Sequence, residues 1–302
     1  MKEQRIWLAF VVLALAWGTS FMFIKIALQT VQPLTLVSGR LLIGWLGLLA
    51  IAALYGLTWP RQWRIWGHFL VMGLFNTAVP FVLITWAEFG AAGVDSGVAS
   101  VLNGTVPLFS IVLAGLVLRT EPFTPGRLLG LLVGFAGVVI LLSRSADVSA
   151  GGVVQKGAVI LAAFMYAASS SYARRYLQGL HPVIVAGGQL LVANLVVGVA
   201  ALTLEDFAAQ SFPWLTLVSL IWLGLLGSCL AYILYFTVLQ AWGATRTTLV
   251  TYLLPVVGVS AGVIFLGELL DWQLLVGGLF ILSGVAVVNW RPRRPALARH
   301  FS

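Results

Sequence analysis

One stretch of this chain is written twice. From Trp17 to Pro33, and again from Tyr166 to Pro182, the same kinds of residue recur at a constant offset. Trp17 aligns with Tyr166, Ser20 with Ser169, Lys25 with Arg174 and Pro33 with Pro182. Ser38-Gly39-Arg40-Leu41-Leu42 aligns with Gly187-Gly188-Gln189-Leu190-Leu191 at the same offset. Further along, the register drifts slightly. Pro107 then pairs with Pro255, Glu121 with Glu268, Gly130 with Gly277 and Gly137 with Gly284. Two related, almost wholly apolar halves point to a membrane architecture that uses one structural unit twice.

The charge content supports a lipid-facing exterior. Only 9% of the residues are charged and 61% are hydrophobic, where a soluble domain carries roughly 25% charged residues. Mean hydropathy is +1.04. The one cysteine, Cys229, lies in an apolar run, which excludes an internal disulfide and a cysteine-based metal cluster. The net charge of +8 does not point to nucleic acid. Its basic residues fall mostly in short gaps between apolar runs and in the tail at Arg291, Arg293, Arg294 and Arg299. That is how a membrane protein marks its cytoplasmic face. Lys2, Arg5 and Ala14-Leu15-Ala16 imitate a signal peptide. The apolar run continues to Leu28, however, so we expect an uncleaved first helix.

About 20 apolar residues cross a bilayer core. Ten runs qualify: Ile6–Leu28, Leu34–Tyr55, Ile65–Ala87, Val94–Leu118, Arg127–Leu142, Gly157–Tyr176, Val183–Leu204, Trp214–Gln240, Ala244–Leu266 and Gln273–Trp290. With the N-terminus inside, the inner segments collect Arg61, Arg64, Arg119, Arg127, Arg174, Arg175, Arg246 and the basic tail. The outer gaps collect Glu88, Asp95, Glu205, Asp206, Glu268 and Asp271. Arg144 and Lys156 break the pattern. Both termini are therefore expected in the cytoplasm. Five spans per copy is an odd number, so the second copy must enter the membrane upside down. The expected fold is an all-α integral membrane protein with ten transmembrane helices in two inverted five-helix repeats around a central cavity. The first repeat covers 1–143, a linker 144–156, and the second repeat with its basic tail 157–302.

The first span carries Trp17-Gly18-Thr19-Ser20-Phe21 and then Lys25, the second carries Arg40, and the fourth and ninth carry Pro107 and Pro255. With ten spans and the duplication, this layout resembles the EamA branch of the drug/metabolite transporter superfamily. Within that branch it is similar to the YddG-type amino-acid exporters. The resemblance implies an inner-membrane transporter that exports small metabolites, here neutral and aromatic amino acids, by alternating access. A proton-coupled drug or metabolite exporter is the alternative, and a non-transporting scaffold or receptor a further one.

The residues also support a site without the family. Ser100, Asn103, Gly104 and Pro107 fall on one stripe of the fourth helix. Thr248, Thr251, Tyr252 and Pro255 repeat it on the ninth. Polar side chains in a span face protein or a watery cavity, and proline frees a carbonyl that is tolerated at depth in the same places. The stripes are read as a substrate site, against the alternative of polar packing between helices. Asn76, Thr77 and Pro80 on the third span, and Ser228 and Tyr232 on the eighth, add to it. So do Trp17 with Ser20 on the first span, and Tyr166 with Ser169 and Ser170 on the sixth. Arg40 and Lys25 are charges at membrane depth. Arg40 has the alternatives of a substrate carboxylate or a structural role, and Lys25 those of a substrate carboxylate or snorkelling. Trp7, Trp59, Trp63, Trp66 and Trp290 lie near span ends, as interfacial anchors do.

Asp, Glu and His are absent from mid-span. This removes the nucleophile-activating groups of an intramembrane enzyme and the usual proton or sodium site. Transport without an obligatory ion gradient follows, with no cofactor, no metal and no nucleic acid. The expected partners are the lipid bilayer and a small-molecule substrate. Gly126, Gly130, Gly134 and Gly137 on the fifth span, with Gly277, Gly278 and Gly284 on the tenth, allow close helix approach. That approach is read as packing within one chain, with a homodimer contact as the alternative.

Overall fold

The computed structural model describes residues 2–117, 124–143, 151–247 and 250–289. Thr248, Arg119, Glu121, Arg144, Trp290 and the basic tail lie outside them. Among the described residues, nine helices are long and apolar enough to cross a membrane. They are α1 (Glu3–Ala27), α2 (Pro33–Leu54), α3 (Trp63–Ala87), α4 (Ser96–Gly115) and α5 (Pro125–Ser143), then α6 (Gly152–Ala173), α7 (Pro182–Leu204), α8 (Trp214–Tyr235) and α10 (Trp272–Asn289). Between the last two lies α9 (Val250–Leu266), apolar but shorter. These segments match the ten expected runs to within a few residues, except in two places.

The helix of α6 starts at Gly151, inside the segment expected to be a linker. Its first turns hold Lys156, which is 3% exposed and donates from Nζ to the carbonyl of Leu141 at 2.7 Å. The ammonium thus sits at the carbonyl-rich end of α5, where a helix dipole favours a cation. The helix of α8 continues as Ala231–Thr247, past the expected end at Gln240 and into the expected ninth run, so that α9 starts at Val250 rather than Ala244. No proline or turn sequence interrupts it there, and a single glutamine does not stop a helix.

Among the described residues three spans carry π-helical segments: Gly73–Ala78 in α3, Leu113–Val117 at the end of α4 and Trp222–Leu230 in α8. A π segment loosens the regular ladder and often marks a functional position. Those in α3 and α8 occupy corresponding places in the two halves.

The packing is paired. Helix α1 packs on α8 and α9, while α6 packs on α3 and α4. Helix α2 lies on the π segment of α8, and α7 on the π segment of α3. Helices α2 and α7, α4 and α9, and α5 and α10 each pack on one another. Each contact named here has a counterpart in which each helix is replaced by the one five places away, whereas among the described residues the contacts of α4 with α1 and with α10 do not. Glycines make the same exchange. A Cβ at Gly224 of α8 would meet the Ile43 Cβ at 2.6 Å, and one at Gly73 of α3 would meet the Val192 Cβ at 3.0 Å. Ile43 and Val192 correspond in the repeat.

The α5–α10 contact uses the expected glycines. A Cβ at Gly137 would meet the Ile281 backbone nitrogen at 2.8 Å, and one at Gly130 the Gly284 carbonyl at 2.8 Å. These glycines are spent on packing within one chain. Gly126 and Gly278 are the exceptions: a Cβ at Gly126 meets nothing within 4 Å among the described residues, and one at Gly278 meets only Val101 of α4. Around this contact the largest buried cluster forms, with Leu108, Leu131, Leu141, Ile281 and Val285. Leu8, Leu15, Leu46, Leu132, Val199, Ile264 and Leu279 project from the bundle. Exposed leucine on so many spans is a surface for lipid.

Candidate functional site

Arg40 organises the centre. It lies on the buried face of α2 and is 7% exposed. Its Nε donates to Ser228 Oγ at 3.0 Å and its Nη2 to the Gly227 carbonyl at 3.3 Å. Both acceptors belong to the π segment of α8. Ser228 Oγ in turn donates to the Leu223 carbonyl, five residues back, at 3.0 Å. The guanidinium lies over the Phe81 ring, 4.1 Å from its centroid. Tyr166 and Tyr232 are close enough to interact with its charge. Its partners are thus a hydroxyl, a carbonyl and a ring, and none of them is an anion.

The second half builds a related contact without the charge and with donor and acceptor exchanged. Gln189, the counterpart of Arg40, accepts at Oε1 from Asn76 Nδ2 at 3.1 Å, and Asn76 lies in the π segment of α3. Thr77 is fully buried beside it, its hydroxyl turned towards that of Tyr232. Tyr232 faces Asn76, Thr77 and Arg40.

Ser20 joins this group from α1. A Cβ at Gly227 would come within 2.8 Å of Ser20 Oγ and 3.5 Å of Arg40 Nη2. Glycine therefore keeps open a small cradle between hydroxyl and guanidinium. Ser20 Oγ itself donates to the Ala16 carbonyl at 2.7 Å. Trp17 stands one turn away, its ring 5.7 Å from that of Tyr235. Arg40, Ser20, Asn76, Tyr166 and Tyr232 thus come together, with Trp17 at the margin and Pro80 buried just beyond the π segment of α3.

The α4 and α9 stripes are arranged differently from the expectation. The two helices do face one another, but at this level they touch. Ser100 is fully buried, and its hydroxyl donates to the Gly97 carbonyl at 2.7 Å. It packs against Gly258, where a Cβ would overlap it. A Cβ at Gly104 would meet Pro255 Cγ at 3.1 Å. Ser100, Pro107 and Pro255 are therefore buried at or beside a helix contact, the packing alternative named above. Asn103 is half-buried with an unpartnered Oδ1, and the Tyr252 hydroxyl accepts from Asn289 Nδ2 at 3.3 Å. Ser170 is exposed and back-bonded to the Tyr166 carbonyl at 2.8 Å.

Phe81 and Gly227 were not anticipated. An apolar ring among apolar residues and one glycine among many carry no signal of their own. The position of Gln189 opposite Arg40 was the available clue. Two clefts open elsewhere, at the helix ends. One, of about 500 Å³, is lined by Gln32, Leu34, Trp86 and Glu205, and the other, of about 550 Å³, by Trp59, Arg61 and His181. Arg40 lines neither.

A bundle of apolar spans with a buried polar centre defines a multi-pass membrane transporter. The chain belongs to the EamA-like transporter family, whose model matches residues 5–143 and again 157–290. It is 26% identical over 296 residues to the uncharacterized transporter YvbV of Bacillus subtilis, covering 97% of this chain and 94% of that one. It is 26% identical over 294 residues to a probable amino-acid metabolite efflux pump of Salmonella typhimurium, covering 93% and 94%. The uncharacterized inner membrane transporter YedA of Escherichia coli is 26% identical over 302 residues, covering 95% and 92%. One solved crystal structure superposes with a TM-score of 0.67 at 20% identity, covering 94% of this chain and 96% of that one. The family and these relatives are transporters rather than enzymes.

Proposed function

We propose that this chain exports small zwitterionic metabolites, neutral and aromatic amino acids among them, across the inner membrane by alternating access. In this reading residues 1–143 and 157–302 are inverted repeats and both termini are cytoplasmic. The exchange of most helix contacts for a counterpart five places on supports the repeat. The basic inner and acidic outer segments support the orientation.

The observation that carries the substrate class is Arg40. A buried cation without an anionic partner among the described residues favours an anionic ligand, because the protein has already met the cost of burying the charge. Phe81, Tyr166 and Tyr232 beside it suit an apolar or aromatic side chain. The relative named as a probable amino-acid metabolite efflux pump fits that chemistry. Mid-span carboxylates are absent, so movement down the solute's own gradient is the transport mode.

Purified protein in liposomes should exchange labelled for unlabelled phenylalanine without a proton or sodium gradient. Phenethylamine, which lacks the carboxylate, should compete poorly. Loss of a charge-assisted hydrogen bond costs about 1.5–3 kcal/mol, so Arg40→Gln should weaken apparent affinity on the order of 10- to 100-fold. Equal competition by phenethylamine would remove Arg40 from the solute site. Exchange that appears only under an imposed gradient would defeat the uncoupled mode.

A further inference from the structure

The acidic end of the bundle holds a carboxyl group that the transport reading does not use. Glu88 caps the C-terminus of α3 and is 1% exposed, and neither of its carboxyl oxygens has a hydrogen-bond partner among the described residues. Lys25, at the same end of α1, does not satisfy them. Its Nζ donates instead to the Glu88 main-chain carbonyl at 3.0 Å and to the Val94 carbonyl at 3.1 Å. The lysine thus holds the two ends of the α3–α4 turn, which is also closed by Val94 N to the Ala87 carbonyl at 2.7 Å. The charged groups facing Glu88 are Lys25 from α1, Asp95 from the start of α4 and Glu268 from the α9–α10 connection.

Glu268 is fully engaged. Its two oxygens accept from Ser96 N at 2.7 Å and Gly97 N at 2.9 Å, capping the N-terminus of α4. Glu205 does the same for α2, accepting from Leu34 N and Thr35 N, each at 2.7 Å. Thr30 and Thr216 hydroxyls, 2.6 Å apart, tie α1 to α8 at this end. This end is therefore closed by two helix caps and one hydroxyl pair, with Glu88 buried at the same end.

We propose that Glu88 is a proton-binding site: closing this end of the transporter takes up one proton on the carboxyl of Glu88, and opening it releases that proton to the same side. An ionised carboxylate buried without a hydrogen bond costs several kcal/mol. Burial therefore holds the group neutral and its pKa well above the usual carboxylate range. Glu268 and Asp95 push the same way, and Lys25 opposes them. Opening would wet the carboxyl and let it ionise beside Lys25. Because binding and release share one side, the proton sets the balance of conformations without driving uphill transport. The proposal therefore agrees with uncoupled exchange.

The sign follows from linkage. Below the ordinary glutamate value, about 4.3, both conformations hold the proton and pH has no effect. Between there and the raised value only the closed form holds it. Each unit of rising pH then favours the open form, up to about tenfold. Above the raised value the dependence ends.

The test needs no transported solute, so it stands or falls apart from the Arg40 reading. Thr216, 1% exposed, is changed to cysteine in a Cys229→Ser background. The protein is placed in nanodiscs and labelled with a water-soluble maleimide from pH 5 to pH 8. Rates are divided by those of Leu204→Cys, a surface reference that is 76% exposed, which cancels the reagent's own pH dependence. The relative rate should climb with pH, by up to tenfold per unit. In Glu88→Gln, which imitates the protonated group, it should be low and flat. Glu88→Asp, which keeps a titrating group, should restore a slope. An unchanged slope in Glu88→Gln overturns the proposal. So does a rate that follows sodium concentration at fixed pH, since the site would then hold a cation rather than a proton.

Discussion

The α5–α10 contact gives the sharpest structural prediction. At Gly284 of α10 a built Cβ stands 2.5 Å from the Gly134 Cα and 2.6 Å from the Gly130 carbonyl oxygen. These are main-chain atoms, so no rotamer change relieves the overlap. Restoring ordinary contact requires the helices to part by roughly 1 Å, and a gap of that size forfeits a quarter to a half of the dispersion attraction across it. Leu131, Val138, Leu141, Ile281, Val285 and Val288 pack in this region. Between membrane helices this packing is the main adhesive, since lipid is as apolar as leucine. Overpacking of this kind costs about 1–3 kcal/mol. Alanine returns up to about 1 kcal/mol of helix propensity. At Gly278 a Cβ meets only Val101, at 3.6 Å, so Gly278→Ala receives that benefit with no clash. Thermal unfolding in detergent, followed by tryptophan fluorescence, should place Gly284→Ala below Gly278→Ala. At about 2–4 °C per kcal/mol for a chain of this size, the gap is several degrees. If Gly284→Ala melts at or above Gly278→Ala, the close approach of these two helices is wrong.

Two further outcomes follow from the same structure. A reporter fused after Arg294 should read as cytoplasmic, and a periplasmic signal would defeat the inverted-repeat argument. Cysteines at Asn103 and Tyr252, both half-buried beside the α4–α9 contact, should react with a water-soluble thiol reagent in a Cys229→Ser background and be protected by substrate. Labelling by lipid-soluble reagents alone would take that helix pair out of the solute path.

The spans were readable because each is a continuous apolar run, and a membrane leaves the chain few other options. The matched polar stripes pointed to α4 and α9, while the glycines of α5 and α10 announced close approach without naming the partner. What the stripes did not reveal is how close the helices come. Ser100 looks like a cavity residue until Gly258 is found against it, because a serine that bonds its own helix reads the same in sequence as one that faces water. The π segments left no mark either, since they differ from α-helix by the register of a few hydrogen bonds. Glu88 falls in sequence in an outer gap between two spans. Only the folded chain shows that the surrounding turns exclude water from it.

The paired contacts at the centre show how one scaffold can serve two ends. A polar side chain from α2 or α7 reaches the π segment of the opposite repeat, Arg40 to Ser228 and Gln189 to Asn76. The two contacts run in opposite directions, since Arg40 donates to its π segment and Gln189 accepts from Asn76. A glutamine at position 40 would still carry an amide N–H able to donate to Ser228 or the Gly227 carbonyl. What Arg40 adds is a cation with its remaining donors beside Ser20 and the cradle at Gly227. This makes Arg40→Gln more than a deletion, because it installs at one position the residue that the chain already uses at its counterpart. The fold should survive the change, as judged by unfolding temperature and monodispersity, while carboxylate recognition is lost. A purely structural arginine predicts the reverse pattern, in which stability falls and the solute preference of any remaining transport is unaltered.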